Sequence, residues 1–377
     1  MFTRRRLLKI GTAASLGIAA GAARAAASHG VWDPSRARVW QQQQGWLVGC
    51  NYIPSNAVNQ LEMWQAETFN LATIKREVGW AANLGFTSVR VFLHDLLWAQ
   101  DAHGFTDRVD AFLDVLHAHK MGALLVLFDS VWHPQPHLGP QPPPKPFVHN
   151  PGWVQSPGAA LLQAPRAQQR VLLQYVKGIV SHFRNDKRVH GWDVWNEPDN
   201  TNSGSYGELE PKDKAGLVYP LLQEVFLSAR AAKPTQPLTS GVWDGNWKSA
   251  GTLQPLETLM VKNSDVISFH SYGKPQALEQ KINELRAWKR PLLCTEFMAR
   301  PEGSTFEPCL EILKRNNVGA YCWGFVSGKT QTIYPWDSWK RPYRELPKQW
   351  FHDVLNADGT PYDPAEVTYI KRVTAKG

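Results

Sequence analysis

The stretch Gly191-Trp192-Asp193-Val194-Trp195-Asn196 indicates the fold class, because it is a short apolar run that ends in a polar residue. Seven further runs of this kind occur along the chain, each bounded by turn residues. A near-continuous apolar run is typical of a parallel strand that is covered on both faces. The eight predicted strands are Gly45–Tyr52, Ser88–His94, Ala123–Asp129, Gly191–Asn196, Pro237–Val242, Val266–Tyr272, Pro291–Phe297 and Gly319–Phe325.

Amphipathic helical patterns separate these runs. They include Leu71–Leu84, Val109–His119, Ala167–Phe183, Leu217–Ala232, Pro275–Trp288 and Phe306–Asn316. Eight strand–helix units over roughly 300 residues predict an α/β fold, a single-domain (β/α)8 TIM barrel. A doubly wound open sheet is the alternative. It is disfavoured because the first run ends in Gly49-Cys50-Asn51-Tyr52 and lacks a G-x-G-x-x-G turn.

The chain of 377 residues is predicted to be one catalytic domain with additions at both ends. We expect a signal peptide at 1–25, a lead-in at 26–44, the barrel at 45–355 and an extension packed on the barrel at 356–377. A proline-rich stretch at 140–146 follows the third run. Because prolines stiffen a loop, this stretch either walls one side of a pocket or is a stiff surface loop without a ligand role.

The N-terminus carries the pattern Thr3-Arg4-Arg5-Arg6-Leu7-Leu8-Lys9. A small, mildly apolar run follows from Ile10 to Ala23, and Ala23-Arg24-Ala25 fits a small-x-small cleavage site. This arrangement resembles a twin-arginine export signal. The run is too short and too rich in Gly and Ala to span a bilayer stably. We therefore expect a periplasmic or secreted protein.

The composition argues against a nucleic-acid partner. The formal charge is +8, but the first 25 residues hold five of the 41 basic residues and no acid, which leaves 36 basic against 33 acidic residues. That balance is too weak for an electrostatic footprint on nucleic acid. The 17 tryptophans instead favour a flat apolar ligand. The four cysteines are interpreted as buried thiols, with two disulfides as the alternative.

Two glutamates follow apolar runs and carry the predicted chemistry. Glu197 lies in Trp195-Asn196-Glu197-Pro198 and Glu296 in Thr295-Glu296-Phe297. Active sites of such barrels lie at the C-terminal ends of the strands. Two carboxyl groups that face each other have their pKa values pushed apart, which suits glycosidic bond cleavage with one acid and one nucleophile or base. Either glutamate alone could instead be the ion-pair partner of an arginine.

The same two motifs resemble those of clan A glycoside hydrolases, especially family 5-like members of the cellulase and mannanase type. The resemblance covers about Gly45 to Leu355. It implies that Glu197 is the general acid/base and Glu296 the nucleophile of a retaining double displacement. It also implies that Asn196 binds the 2-hydroxyl of the sugar.

The resemblance implies substrate-binding positions at three further strand ends. Arg90 would support the nucleophile, Tyr272 would hold its carboxylate by a hydrogen bond, and His270 would line the site with Tyr272. Trp323 would be the aromatic platform under the sugar at the cleavage point. Burial in the core is the alternative for His270, Tyr272 and Trp323, although His270 and Tyr272 share one face of their strand.

The third run departs from the family pattern. Many members show Asp-x-His there, whereas this chain reads Phe128-Asp129-Ser130-Val131-Trp132-His133. His133 and His137 have a metal-ligand spacing, but Pro134 and Pro136 forbid the helix it would need. We therefore expect no metal and no cofactor.

Other tryptophans follow the predicted strands and suit either saccharide subsites or loop packing. They are Trp98, Trp132, Trp243, Trp247, Trp336 and Trp339. Together these features predict a retaining glycoside hydrolase for β-linked oligo- or polysaccharides, without nucleic-acid or, after signal removal, membrane partners. A transglycosylase that uses the same site and a catalytically silent saccharide-binding barrel are the alternatives.

Overall fold

Eight parallel strands form a ring at the centre of the protein. The computed structural model describes residues 30–249 and 251–375. Neighbouring strands follow the order β5-β4-β3-β2-β1-β8-β7-β6, and a parallel bridge between Val242 and Phe269 closes the ring. The strands are β1 (Val48–Asn51), β2 (Ser88–Phe92), β3 (Gly122–Val126), β4 (Val189–Asn196), β5 (Leu238–Gly241), β6 (Ile267–Ser271), β7 (Leu292–Phe297) and β8 (Gly319–Cys322).

Helices surround this ring and confirm the predicted (β/α)8 barrel. Within the described residues they are α1 (Pro34–Gln44), α2 (Gln60–Trp64), α3 (Leu71–Asn83), α4 (Asp95–Ala118), α5 (Ala159–Leu162), α6 (Arg166–Phe183), α7 (Lys214–Ala231), α8 (Pro255–Asn263), α9 (Pro275–Leu285), α10 (Phe306–Arg315) and α11 (Pro364–Thr374). Several predicted strands extend past the observed ends, because the apolar pattern continues into loops that pack on the core. The prediction for α4 began too late, since its first turns are interrupted by a non-helical Asp101.

Residues 30–44 of the lead-in form a plug at the N-terminal end of the barrel. Asp33 caps α1 by accepting a hydrogen bond from the Ser35 N–H at 2.7 Å, and Gly45 ends the helix with φ 69°. Trp40 donates its indole N–H to the carbonyl of His190 at 3.1 Å. The plug forms one apolar cluster with residues of the barrel floor; the cluster is Trp32, Ala37, Trp40, Leu47, Leu124, Val266, Leu293 and Tyr321.

The C-terminal helix α11 packs on the outside of the barrel, against α10 and the end of α3. Arg372 of α11 forms an ion pair with Glu311 of α10 at 3.2 Å. Thr374 donates its hydroxyl hydrogen to the carbonyl of Leu84 at 2.7 Å, at the end of α3. Helix α11 therefore bridges the last and the first helices of the barrel.

The sequence also predicted a signal peptide and four buried thiols. The predicted signal peptide at 1–25 lies outside the described residues. Cys50, Cys294, Cys309 and Cys322 are buried free thiols. Among the helices described, none has both the length and the apolar character needed to cross a bilayer.

The plug is expected to stabilise the barrel. Trp40→Ala removes a side chain that is only 7% exposed and leaves a cavity at the floor. We expect the free energy of unfolding to fall by about 3–5 kcal/mol, measured by urea denaturation. Gln42→Ala, on the exposed face of α1, is the control and should change it by about 0.5 kcal/mol at most. A loss below about 1 kcal/mol for Trp40→Ala would show that the plug is dispensable.

Candidate active site

Two buried glutamates meet at the C-terminal end of the barrel. Glu296 belongs to β7, and Glu197 directly follows β4. Glu197 has φ 41°, an uncommon value for a residue with a side chain, and it is followed by Pro198. One side-chain atom each of Glu197, His270 and Glu296 lie within 4.8 Å of one another. The strand ends thus bring together carboxyl groups that are 99 residues apart in the chain.

The carboxylate of Glu296 is held at both oxygens. Arg90 donates an Nη1 hydrogen to Oε1 at 2.8 Å, and the Tyr272 hydroxyl donates to Oε2 at 2.7 Å. The pKa of Glu296 is raised, mainly by burial and also by the nearby charge of Glu197, while the charge of Arg90 and the hydrogen bond from Tyr272 oppose this rise. The two donors therefore fix the position of the Glu296 carboxyl group beside a permanent cation.

Arg90 makes a hydrogen bond with each of its five N–H groups. Besides Glu296, it donates to Oδ2 of Asp193 from Nε at 3.2 Å and from Nη2 at 2.8 Å. It also donates to Oδ1 of Asn51 at 2.8 Å and to Oδ1 of Asn196 at 2.6 Å. The side chain is fully buried. It links the ends of β1, β4 and β7 and orients Glu296.

Glu197 has neutral partners instead. Its Oε1 lies 2.6 Å from Nδ1 of His270, and its Oε2 accepts a hydrogen bond from Nδ2 of Asn200 at 2.6 Å. Burial raises the pKa of Glu197 to about 7. Burial also lowers the pKa of His270 to about 4, so the imidazole is neutral near pH 7. Glu197 therefore holds its proton at a pH where an exposed glutamate has lost it.

Asn196 is oriented by a chain of buried polar groups. Its Oδ1 accepts from Arg90, and its Nδ2 donates to Oδ1 of Asp129 at 3.0 Å. Oδ2 of Asp129 accepts the indole N–H of Trp153 at 2.7 Å. This leaves the second N–H of the Asn196 amide to donate to a ligand.

Some of these contacting residues were not selected from the sequence. Asn51 ends β1, Asp193 lies within β4, and Asp129 and Asn200 follow β3 and β4. Polarity within a predicted apolar run is the signal that could have found the first two and Asp129, whereas Asn200 lies in a polar loop and had no such signal. Asp129 stands in the third run, where the chain departs from the family pattern. Burial raises its pKa to about 6.

Trp323 lies on the floor of a cleft above the two glutamates. It packs against Phe92 and Trp153 with ring centroids 5.9 and 5.6 Å away, and it is 9% exposed. The cleft has a volume of about 300 Å³. Its lining includes Asn196, Glu197, Tyr272, Glu296 and Trp323, whereas Arg90 and His270 lie beneath it.

Four of the six loop tryptophans line this cleft: Trp132, Trp243, Trp336 and Trp339. The other two take the packing alternative. Trp98 lies within α4 and packs against Tyr175, and Trp247 is buried against Phe269. The proline-rich stretch 140–146 does not line the cleft either, although residues from both ends of the same loop do.

The trio of Glu197, His270 and Glu296 has the ligand types of a metal site, but its charges oppose one. The guanidinium of Arg90 lies 2.8 Å from Glu296 and repels a cation there. Nδ1 of His270 is engaged with Glu197. The arrangement suits proton transfer and nucleophilic attack better than metal binding.

Comparison with known proteins places this site in a family. The family model "Cellulase (glycosyl hydrolase family 5)" matches residues 53–328. No curated protein matches the chain. Among solved structures, GH5_18 from Streptomyces cattleya in complex with GlcNAc is 15% identical with a TM-score of 0.59, and the match covers 88% of this chain and 81% of that one.

Two further structures have the same fold. A β-mannanase from the blue mussel Mytilus edulis is 15% identical with a TM-score of 0.56, over 88% of this chain and 92% of that one. An endo-β-1,4-mannanase from Thermotoga petrophila is 10% identical with a TM-score of 0.56, over 89% of this chain and 77% of that one. The family match over residues 53–328 shows that this chain belongs to glycosyl hydrolase family 5 and is a glycoside hydrolase acting on O-glycosyl bonds of a carbohydrate.

Proposed function

We propose that this enzyme cleaves β-glycosidic bonds by double displacement with retention of configuration. The observation that carries the proposal is that one carboxyl oxygen of Glu197 lies within 4.8 Å of one carboxyl oxygen of Glu296. Retaining enzymes hold their two carboxyl groups about 5–5.5 Å apart, whereas inverting enzymes need about 6.5–9.5 Å to admit a water molecule. The similarity to β-mannanases supports the β configuration of the substrate.

In the first step, the Glu296 carboxylate attacks the anomeric carbon. The bond from that carbon to the departing oxygen breaks, and Glu197 gives its proton to this oxygen. Arg90 and Tyr272 hold Glu296 in line for the attack. Glu197 can act as the acid because burial raises its pKa to about 7. The product is a glycosyl ester of Glu296 with the α configuration.

In the second step, Glu197 acts as a base. It takes a proton from a water molecule, whose oxygen attacks the anomeric carbon and releases Glu296 as a carboxylate. Formation of the ester has removed the negative charge of Glu296, which favours ionisation of Glu197 at this stage. Asn196 donates to the sugar 2-hydroxyl, and Trp323 packs under the ring.

We also propose that the protein is exported by the twin-arginine route. Arg4 and Arg5 precede a mildly apolar run and a small-x-small site, which supports this address. The route places the enzyme where extracellular saccharides reach it.

Substitution of each glutamate should reveal its separate role. Glu296→Ala and Glu197→Ala should each lower kcat on β-linked oligosaccharides at least about 10³-fold. With 2,4-dinitrophenyl β-glycosides and added azide, Glu296→Ala should form an α-glycosyl azide, because azide attacks from the face that Glu296 occupied. Glu197→Ala should form the β-azide, because azide then attacks the ester. Proton NMR identifies both products.

The control for this pair is Glu67→Ala, an exposed glutamate away from the cleft. It should keep wild-type turnover. The panel of sugars starts with β-mannosides and β-glucosides, and wild-type product anomers are followed by the same NMR. An α-anomer appearing first from wild type would refute retention and the role of Glu296. Oligosaccharides longer than the substrate would identify transglycosylation.

The second prediction concerns pH. Glu197 must be protonated in the first step, so kcat/KM for an aryl glycoside with a poor leaving group should fall as pH rises through about 7. The fall should approach tenfold per pH unit. The 2,4-dinitrophenyl glycoside needs little acid assistance and should show a much weaker fall. Equal alkaline limbs for both substrates would argue against Glu197 as the acid.

The third prediction concerns export. Replacing Arg4 and Arg5 by Lys should keep the enzyme in the cytoplasm of a bacterial host with a twin-arginine pathway. Activity is compared between periplasmic and spheroplast fractions. Arg170→Lys, an exposed substitution on α6, is the control. Undiminished periplasmic activity in the double variant would refute this route.

A further inference from the structure

We propose that the enzyme acts at the non-reducing end of its substrate, because the side of the cleft that holds the glycone is closed by loops. The inference rests on the proposed function, since the assignment of Glu197 as acid decides on which side the leaving group lies. It goes beyond that function by naming the chain end as the substrate.

The loop after β8 crosses the mouth of the barrel. At one end of its short helical turn, Trp336 packs edge-on against Tyr272 of the β6 end, with ring centroids 5.1 Å apart. At the other end, Trp339 stacks on Trp132 of the loop after β3, at 5.8 Å and 22°. Trp339 also contacts Tyr206 of the loop after β4 at 4.7 Å. The turn Trp336–Trp339 thus spans from β6 to β3 and β4.

Hydrogen bonds fasten this turn to the loop after β3. The N–H of His149 donates to Oγ of Ser338 at 3.0 Å, and the indole N–H of Trp339 donates to the carbonyl of His149 at 2.8 Å. The N–H of Asn150 donates to the carbonyl of Thr330 at 2.8 Å. The loops after β3 and β8 therefore form one continuous wall.

The wall also covers the ends of β1 and β2. Asn59 and Gln60, in the segment after β1, donate to the carbonyls of Gly152 and Val154 at 2.9 and 3.0 Å. Lys329 of the loop after β8 forms an ion pair with Glu62. Among the described residues that line the cleft, none belongs to the loops after β1 or β2. A second cavity lies on this side, lined by Ile53, Phe92 and Trp153 among others, but its volume of about 20 Å³ is too small for a sugar ring. We infer that a saccharide does not extend past the wall here.

A buried ion pair supports the wall from the loop after β4. Oδ1 of Asn202 accepts the N–H of Trp132 at 2.7 Å. Glu210 accepts from Asn202 and forms a buried ion pair with Lys214 at 2.9 Å. Lys214 also donates to the carbonyl of Ser130 at 2.8 Å. Separating a buried ion pair leaves each charge without a partner, which costs much free energy. The ion pair of Glu210 and Lys214 therefore resists movement of this loop away from the wall.

The opposite side of the cleft is open. Trp243 follows β5 and donates its indole N–H to Oδ1 of Asp199 at 2.8 Å. It lines the cleft beside Glu197 and Asn200, and the next residue, Asp244, is exposed. The acid must stand beside the leaving oxygen, so the leaving part of the substrate extends over Trp243. The glycone therefore lies against the wall. The cleft volume of about 300 Å³ is at the lower end of the range for ligand sites.

The test uses tetraoses of β-1,4-linked mannose and glucose with a fluorescent label at the reducing end. Each is prepared with a free non-reducing end and with that end capped by a 4,6-O-benzylidene acetal. We expect the wild-type enzyme to shorten the free tetraose from its non-reducing end and to cleave the capped one at least 100-fold more slowly. Labelled products are separated by chromatography.

A variant then probes the wall itself. Trp339→Ala removes the stacking on Trp132 and should raise cleavage of the capped tetraose at least tenfold relative to the free one. Trp46→Ala is the matched control, a half-buried tryptophan at the opposite end of the barrel whose indole also donates to a carbonyl, that of Val318, at 2.8 Å. It should leave the ratio unchanged.

The outcomes separate this inference from the proposed function. Cleavage of the capped tetraose within threefold of the free one by wild type would overturn chain-end action and leave retaining hydrolysis intact. This comparison decides the matter even where Trp339→Ala does not fold. Absence of cleavage of both tetraoses and of every glycoside in the panel would overturn the proposed function and the inference with it.

Discussion

The guanidinium group of Arg90 is the contact on which the rest of the site depends. It is a fully buried charge, and such a charge is very costly unless its hydrogens are all satisfied. Asn51, Asp193, Asn196 and Glu296 satisfy them from three strands. Arg90 can exist there only if these strand ends are in register. The hydrogen bonds that stabilise the cation therefore also orient Glu296, the proposed nucleophile, and the amide of Asn196, which precedes the proposed acid.

The two glutamates differ in their neighbours more than in their burial. Glu296 faces a cation and a hydroxyl donor, whereas Glu197 faces a neutral imidazole and an amide. In a site of low dielectric constant, that difference separates the affinities of two chemically identical groups for a proton. Arg90 and Tyr272 donate to Glu296 and not to Glu197, and this difference supports the division of the proposed roles between acid and nucleophile.

The proposed catalytic residues and the wall residues come from different parts of the barrel. The former lie on strand ends, which the closed sheet holds rigidly, and the latter lie on the loops after β3, β4 and β8. Loops can change length without disturbing the sheet, so a shared catalytic core is compatible with different substrates. In this chain, Trp339 packs against Trp132 of the loop after β3 and Tyr206 of the loop after β4, and we propose that the resulting wall closes the glycone side of the cleft.

The tryptophans show where sequence reasoning ended. Position after a strand left each of these tryptophans open between a saccharide subsite and loop packing. In the structure Trp132 and Trp243 line the cleft, whereas Trp98 and Trp247 pack elsewhere. Distance along the chain from a strand does not reveal in which direction a loop carries its side chains. Helix α1 was missed for a related reason. Its sequence is dominated by glutamine, and only the barrel floor makes its few apolar residues a packing face.

The sequence by itself determined the alternation of eight strands and helices and the polar residues that stand at the strand ends. Both are local properties, because a covered strand must be apolar along its length and a parallel barrel exposes the same end of every strand. Only the tertiary structure decided the partners of Arg90 and the closure of the cleft. These depend on contacts between residues 103 apart, as for Arg90 and Asp193, or 189 apart, as for His149 and Ser338. No local pattern encodes such contacts, because they exist only once the ring of strands has closed.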